Sequence, residues 1–130
     1  RMVLKVIDAT QAKPGATILI EGEAYTVRSN DISKTGKHGA SKCRIEAIGI
    51  FSKKKKVIAV SGGERFDVPL VEKHRGQVLS VSENTVSIMD LESFETLDVP
   101  YLEDLKENLT SDIQVEYWNV EGKNMVMRIL

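Results

Sequence analysis

Three observations in the 130-residue chain predict an all-β protein made of two small barrels in tandem. Short runs of apolar and β-branched residues recur along the chain, bounded by glycine, proline or polar turn residues, and residues 1–69 show no helical period. The pattern closes at Pro69 and restarts beyond it. Charge divides at the same point: residues 1–69 hold 13 Lys/Arg and 7 Asp/Glu, residues 70–130 hold 5 and 12, so +6 and −7 lie beneath a net charge of −1. The first half suits polyanions and the second repels them.

The elements follow in order. Residues 17–20 and 24–28 flank Glu21-Gly22-Glu23, where Gly22 supplies the positive φ of a tight hairpin turn. A strand running to about Asn30 and another starting near Ala40 enclose a polar segment. Residues 42–48 alternate, with Cys43, Ile45 and Ala47 on one face and Lys42, Arg44 and Glu46 on the other, the period of a half-buried strand whose cysteine points inward. Residues 57–60 form another strand, then come the Ser61-Gly62-Gly63 turn and a short strand over residues 65–68. This set predicts an SH3-like barrel over residues 1–69. Residues 77–81 and 85–89 flank Ser82-Glu83-Asn84; a strand over 94–98, a helix over 101–108 led by Pro100, and two strands over 113–119 and 124–130 complete the chain. Five strands with one short helix between the third and fourth is the order of an OB-fold, expected over residues 70–130.

Composition removes several functions. The chain is 42% hydrophobic and 28% charged, an ordinary folding composition, with one cysteine and two histidines. That leaves no internal disulfide and too few ligands for a Cys/His zinc site. No apolar run reaches the roughly 18 residues that span a bilayer, so a cytoplasmic monomer without membrane contact is expected. Neither a Ser/His/Asp nor a Cys/His constellation is present, which argues against an enzyme.

The informative segment is Asp31-Ile32-Ser33-Lys34-Thr35-Gly36-Lys37-His38-Gly39. Only Ile32 is apolar, so the segment projects from the barrel, and Gly36 and Gly39 permit a reversal that presents Lys37 and His38. It is no phosphate loop, because no Gly-Lys-Ser/Thr opens a helix. The letters fit the Gly-x-x-Gly clamp of a KH domain, but that clamp joins helices and this segment joins strands. On spacing alone, a polar hairpin tip without a role remains open.

Lys34-Thr35-Gly36-Lys37-His38-Gly39, followed by Lys42 and by Ala47-Ile48-Gly49-Ile50-Phe51, resembles the hypusine loop and succeeding strand of the translation factor 5A family, archaeal and eukaryotic relatives of bacterial elongation factor P. Phe66-Asp67-Val68-Pro69 is similar to that family's domain junction, and the resemblance spans the chain. It implies an N-terminal SH3-like domain of the KOW type carrying the loop and a C-terminal OB-fold. It further implies that Lys37 is the modified lysine, receiving a spermidine-derived aminobutyl group from deoxyhypusine synthase, with no separate cofactor. Lys34, Thr35, Gly36, His38 and Gly39 then form the modification loop. The implied partner is the ribosome, both rRNA and the acceptor end of peptidyl-tRNA, where the extended side chain promotes peptide-bond formation on stalled ribosomes. Ala40 stands where the eukaryotic form carries a second histidine, an archaeal feature.

Other residues have competing roles. Lys42 and Arg44 add positive potential near the tip, and Lys53-Lys54-Lys55-Lys56 either grips RNA backbone or forms a solvated turn that blocks edge pairing. His38 and His74 sit in different domains and make no ligand pair. Phe94, Tyr117 and Trp118 could stack bases, yet Asp90, Glu92, Glu95 and Asp98 crowd the second and third strands of that domain, where such binding is usual, and point to core or protein-facing roles. Without the resemblance, a generic RNA-binding or scaffold protein using the basic barrel is the alternative.

Overall fold

Glu21 and Gly22 both take positive φ, 52° and 81°, as do Glu121 and Gly122 at 53° and 75°. Two successive left-handed residues make the type I′ turn whose twist matches that of paired strands, so both Glu-Gly pairs close two-residue hairpins. In the computed structural model, which describes residues 3–35 and 40–130, the chain divides into two units, residues 1–70 and 71–130. Every regular element among the described residues is a strand or a short 3-10 turn. The all-β expectation holds.

In the first unit β1 (Val3–Asp8) pairs antiparallel with β6 (Arg65–Pro69), while β2 (Thr17–Ile20), β3 (Glu23–Thr35), β4 (Ala40–Gly49) and β5 (Lys55–Ser61) form a four-stranded antiparallel meander. β1 is absent from the sequence-based expectation because only Ile7 of its six residues is buried, so it carries no alternation. The predicted inward face of β4 is correct: Cys43, Ile45 and Ala47 are buried and pack with Ile18, Tyr25 and Val27.

In the second unit β7 (Val71–Val81), β8 (Thr85–Asp90), β9 (Thr96–Pro100), β10 (Gln114–Val120) and β11 (Lys123–Ile129) form one sheet in the order β11-β10-β7-β8-β9. A parallel bridge between Tyr101 and Val126 and the bond from the Leu102 N–H to the Val126 carbonyl, 3.1 Å, curl this sheet into a half-barrel. Val78, Val86, Ile88, Val99, Val115 and Val126 are fully buried in its separate core. At about 1.5 to 3 kcal/mol for each fully buried aliphatic side chain, such a cluster is the main favourable contribution to the unit's folding.

Three boundaries differ from expectation. Pro100 does not lead a helix; it ends β9, and the only helical turn after it is a 3-10 segment, Glu103–Asn108. β9 is an edge strand, where the missing proline N–H leaves no ladder partner unmet. Phe94 lies outside the strand, with φ of 62° and 70% exposure, because the Asp90 carboxylate accepts the N–H groups of Glu92 and Ser93 and draws the chain into a turn. A core role for Phe94 is therefore wrong. β7 begins at Val71, six residues before the expected Gln77, since Lys73, His74 and Arg75 interrupt the hydrophobic signal.

Candidate modification loop and RNA-contact surface

The loop ends are fixed by strand pairing. β3 and β4 pair from Tyr25 opposite Gly49 to Thr35 opposite Ala40, so β3 runs five residues past Asn30 and only Gly36, Lys37, His38 and Gly39 connect the strands. Those four residues lie outside the described part of the structure. The expected nine-residue loop is thus mostly ladder. Its strands carry few buried side chains, with Ile32 49% exposed, and polarity alone cannot separate such a ribbon from a loop.

Two contacts hold this ribbon, one at its base and one near its far end. The Asn30 side-chain amide donates to the carbonyls of Ala9, 2.8 Å, and Ala12, 3.0 Å, tying β3 to the 3-10 turn Ala9–Gln11. The Gly62 N–H donates to the Ser41 carbonyl at 2.9 Å, bringing the β5–β6 turn against the Lys34–Ser41 pair, one short of the ladder's end. Sequence reasoning singles out neither residue. A lone Asn in a strand and a Gly-Gly turn are the signals that point to them.

The basic residues do not form one patch. Lys34 is exposed and sits opposite Ser41, whereas Lys42 and Arg44 sit opposite Ser33 and Asp31. Because side chains alternate along a strand, Lys34 is on one face of the ribbon and Lys42 and Arg44 on the other. The lysine run is at the far end of β4: Lys55 pairs with Ile48, eight residues from Ala40, a separation of about 27 Å along the strand. It is also split. Lys53, with φ of 60°, and Lys54 occupy an exposed turn. Lys55 forms an ion pair with Glu46, and Lys56 lies 3.3 Å from Glu21 and 5.9 Å from the Tyr25 ring centroid. Hydrogen bonds from Lys55 and Ser29, with the Lys55 charge, hold the Glu46 carboxyl below its usual range. Within the run, Lys53, Lys54 and Lys55 are exposed and Lys56 is half-buried, and the ion pairs engage Lys55 and Lys56.

Cys43 is not poised as a nucleophile. Burial, then the nearby Asp8 charge, pushes the Cys43 thiol up, which suppresses the thiolate. No group of three or more potential metal ligands occurs among the described residues. His74 stacks on Tyr117 at 5.2 Å and lies 3.5 Å from Glu72, so its neighbours are structural. Nor is any helix among the described residues long and apolar enough to cross a membrane.

Residues 5–61 match the family model described as translation initiation factor 5A-like, N-terminal. The chain is 41% identical over 127 residues to translation initiation factor 5A of Methanobrevibacter smithii, covering 98% of both proteins. The chain belongs to the translation initiation factor 5A family. Its relative in Methanococcus vannielii is 42% identical over 123 residues, covering 95% of this chain and 93% of that protein. In three dimensions the chain resembles the protein named eukaryotic translation initiation factor 5A from Methanococcus jannaschii, with a TM-score of 0.84 at 34% identity over 97% of this chain and 94% of that one. As a 5A factor it is a translation factor and not an enzyme.

Proposed function

We propose that this chain acts on the ribosome through an aminobutyl extension of Lys37. Within this reading, residues 1–69 are an SH3-like unit that presents the loop and residues 70–130 an OB-fold unit. The observation that carries it is the Thr35–Ala40 pair: in a 5A family chain, it closes the ladder on both sides of Gly36-Lys37-His38-Gly39, leaving a four-residue tip. Lysine suits the chemistry because its amine, once deprotonated in an enzyme pocket, is a nucleophile, which a guanidinium is not. Four carbons and a nitrogen lengthen the side chain by about 6 Å and add a second charge. A thin dication of that length reaches the acceptor end of peptidyl-tRNA, where it holds the reactants by hydrogen bonds to phosphates and hydroxyls. Deoxyhypusine synthase is the modifying partner and rRNA supplies the docking surface, with Lys42, Arg44, Lys53, Lys54, Lys55 and Lys56 the cations offered to it.

The test supplies deoxyhypusine synthase, spermidine and NAD to the wild type, Lys37→Arg and Lys34→Arg, then follows intact mass and peptidyl transfer on stalled ribosomes. Lys37→Arg is expected to keep the wild type's thermal midpoint, to gain no mass and to rescue nothing. Lys34→Arg keeps both activities. Rescue by Lys37→Arg at the wild-type level removes this reading and leaves a generic RNA-binding protein in its place.

A further inference from the structure

The acidic second unit carries one basic face. Val115 and Tyr117 of β10 are buried, so alternation turns Glu116 and Trp118 to the opposite side of the sheet. On that side Trp118 lies between Lys73 of β7 and Met125 of β11, and Glu116 lies between Arg75 and Arg128. Lys73, Arg75 and Arg128 are exposed, and they are three of the five basic residues in 71–130, with Lys123 beyond them at the hairpin end. The acid among them is engaged: Glu116 accepts the Trp118 indole N–H at 2.9 Å and lies 3.6 Å from the Arg128 Nε. The Lys73 ammonium sits 4.5 Å from the Trp118 ring centroid.

We propose that this outward face of β7, β10 and β11 is an RNA-backbone contact, with Lys73, Arg75 and Arg128 on phosphates around the Trp118 indole. Lys73 and Arg75 are two residues apart on one strand, about 7 Å, a separation of the order of that between successive phosphates. Arg128 is two strands across, about 10 Å away, which gives the contact width as well as direction. A flat aromatic among cations is the composition of sequence-tolerant single-strand binding surfaces. The negative charge of the rest of the unit confines binding to this strip and makes it sensitive to salt. The proposal deepens the ribosomal reading by assigning the second unit an RNA contact, in place of the repulsion its net charge predicts. It does not depend on the state of Lys37.

The test uses the full, unmodified chain and a tRNA transcript, with binding measured between 50 and 200 mM salt, a range over which phosphate neutralisation is resolved. Lys73→Gln with Arg75→Gln is expected to weaken binding by about tenfold and to flatten the dependence of log K on log salt by about two, one for each phosphate left without its cation. Lys106→Gln, which removes a cation of the same unit in the 3-10 turn, leaves affinity within about twofold and serves as the control. Equal thermal midpoints for all three proteins show that the fold is kept. An unchanged slope in the double variant overturns the proposal and turns the face toward an acidic protein surface; an equally large weakening from Lys106→Gln also overturns it, because charge alone then accounts for binding. Ribosome rescue by the Lys37 variants is read in a separate assay, so failure of either reading is visible without the other.

Discussion

Asp90 is 5% exposed at the end of β8, following Val86 and Ile88 on the inner face of that strand. Burial by itself would raise its pKa. The hydrogen bond from the Tyr117 hydroxyl, the N–H groups of Ser93 and Glu92 and the charge of His74 outweigh that and hold it at about 2, against an ordinary 3.8. Tyr117 is correspondingly pushed up, by burial and by donating to Asp90. A carboxyl depressed in the folded state stabilises above its unfolded pKa, so this contribution is full above about pH 4 and is lost as the pH falls toward 2. Tyr117→Phe leaves one buried carboxylate oxygen without its donor and is expected to lower stability by about 1 to 3 kcal/mol at pH 7. Denaturant unfolding at pH 7 and pH 3 checks the sign, because the wild type's advantage must shrink on acidification. Alternation in Thr85–Asp90 already places Asp90 inward, so its burial is legible in the sequence; its partner is not, since Tyr117 is 27 residues away on a strand whose pairing only the fold reveals.

At the scale of elements, the sequence is clear where turn chemistry and alternation agree. Glu21-Gly22, Glu121-Gly122 and the inward row Cys43, Ile45 and Ala47 all emerge from local pattern. Where side chains are exposed on both faces, as in β1 and the distal part of β3, the pattern disappears although the backbone ladder continues. That is why the loop motif is legible and its four-residue extent is not. The Ser61-Gly62-Gly63 turn supports the ribbon one pair short of its end. A Cβ on Gly62 would collide with the Ser41 Oγ and lie 2.9 Å from the Thr10 Cγ2. Gly62→Ala is therefore expected to cost about 1 to 3 kcal/mol through overpacking. Adding Ser41→Ala removes the nearest atom and should recover most of the loss, with the Thr10 methyl retaining the remainder. A double-mutant cycle in denaturant measures this coupling, and strictly additive losses would show that the ribbon and the turn are not in contact as described.

For the whole molecule, separate hydrophobic clusters and opposite net charges make each unit a self-contained body, and a single residue, Leu70, separates β6 from β7. Strand direction then gives the two units different mechanical strengths. In the first, Val3 pairs with Pro69, so tension between the ends of that unit acts on neighbouring chain ends and breaks the β1–β6 bonds one after another, like a zip. In the second, β7 and β11 run parallel on either side of β10, with Val71 paired to Val120 at one end of the sheet and Ile129 to Val115 near the other. Pulling there loads many hydrogen bonds at once, in shear. Stretching the chain from its two ends in an optical trap is expected to show the first unit opening at the lower force, with an added length of about 230 Å for the residues between Val3 and Pro69, and the second resisting longer. A first event releasing the second unit's length would contradict this order. An unfolding machine that engages the amino-terminal end meets the weak direction first, so the body carrying the Lys37 loop is unravelled before the half-barrel yields.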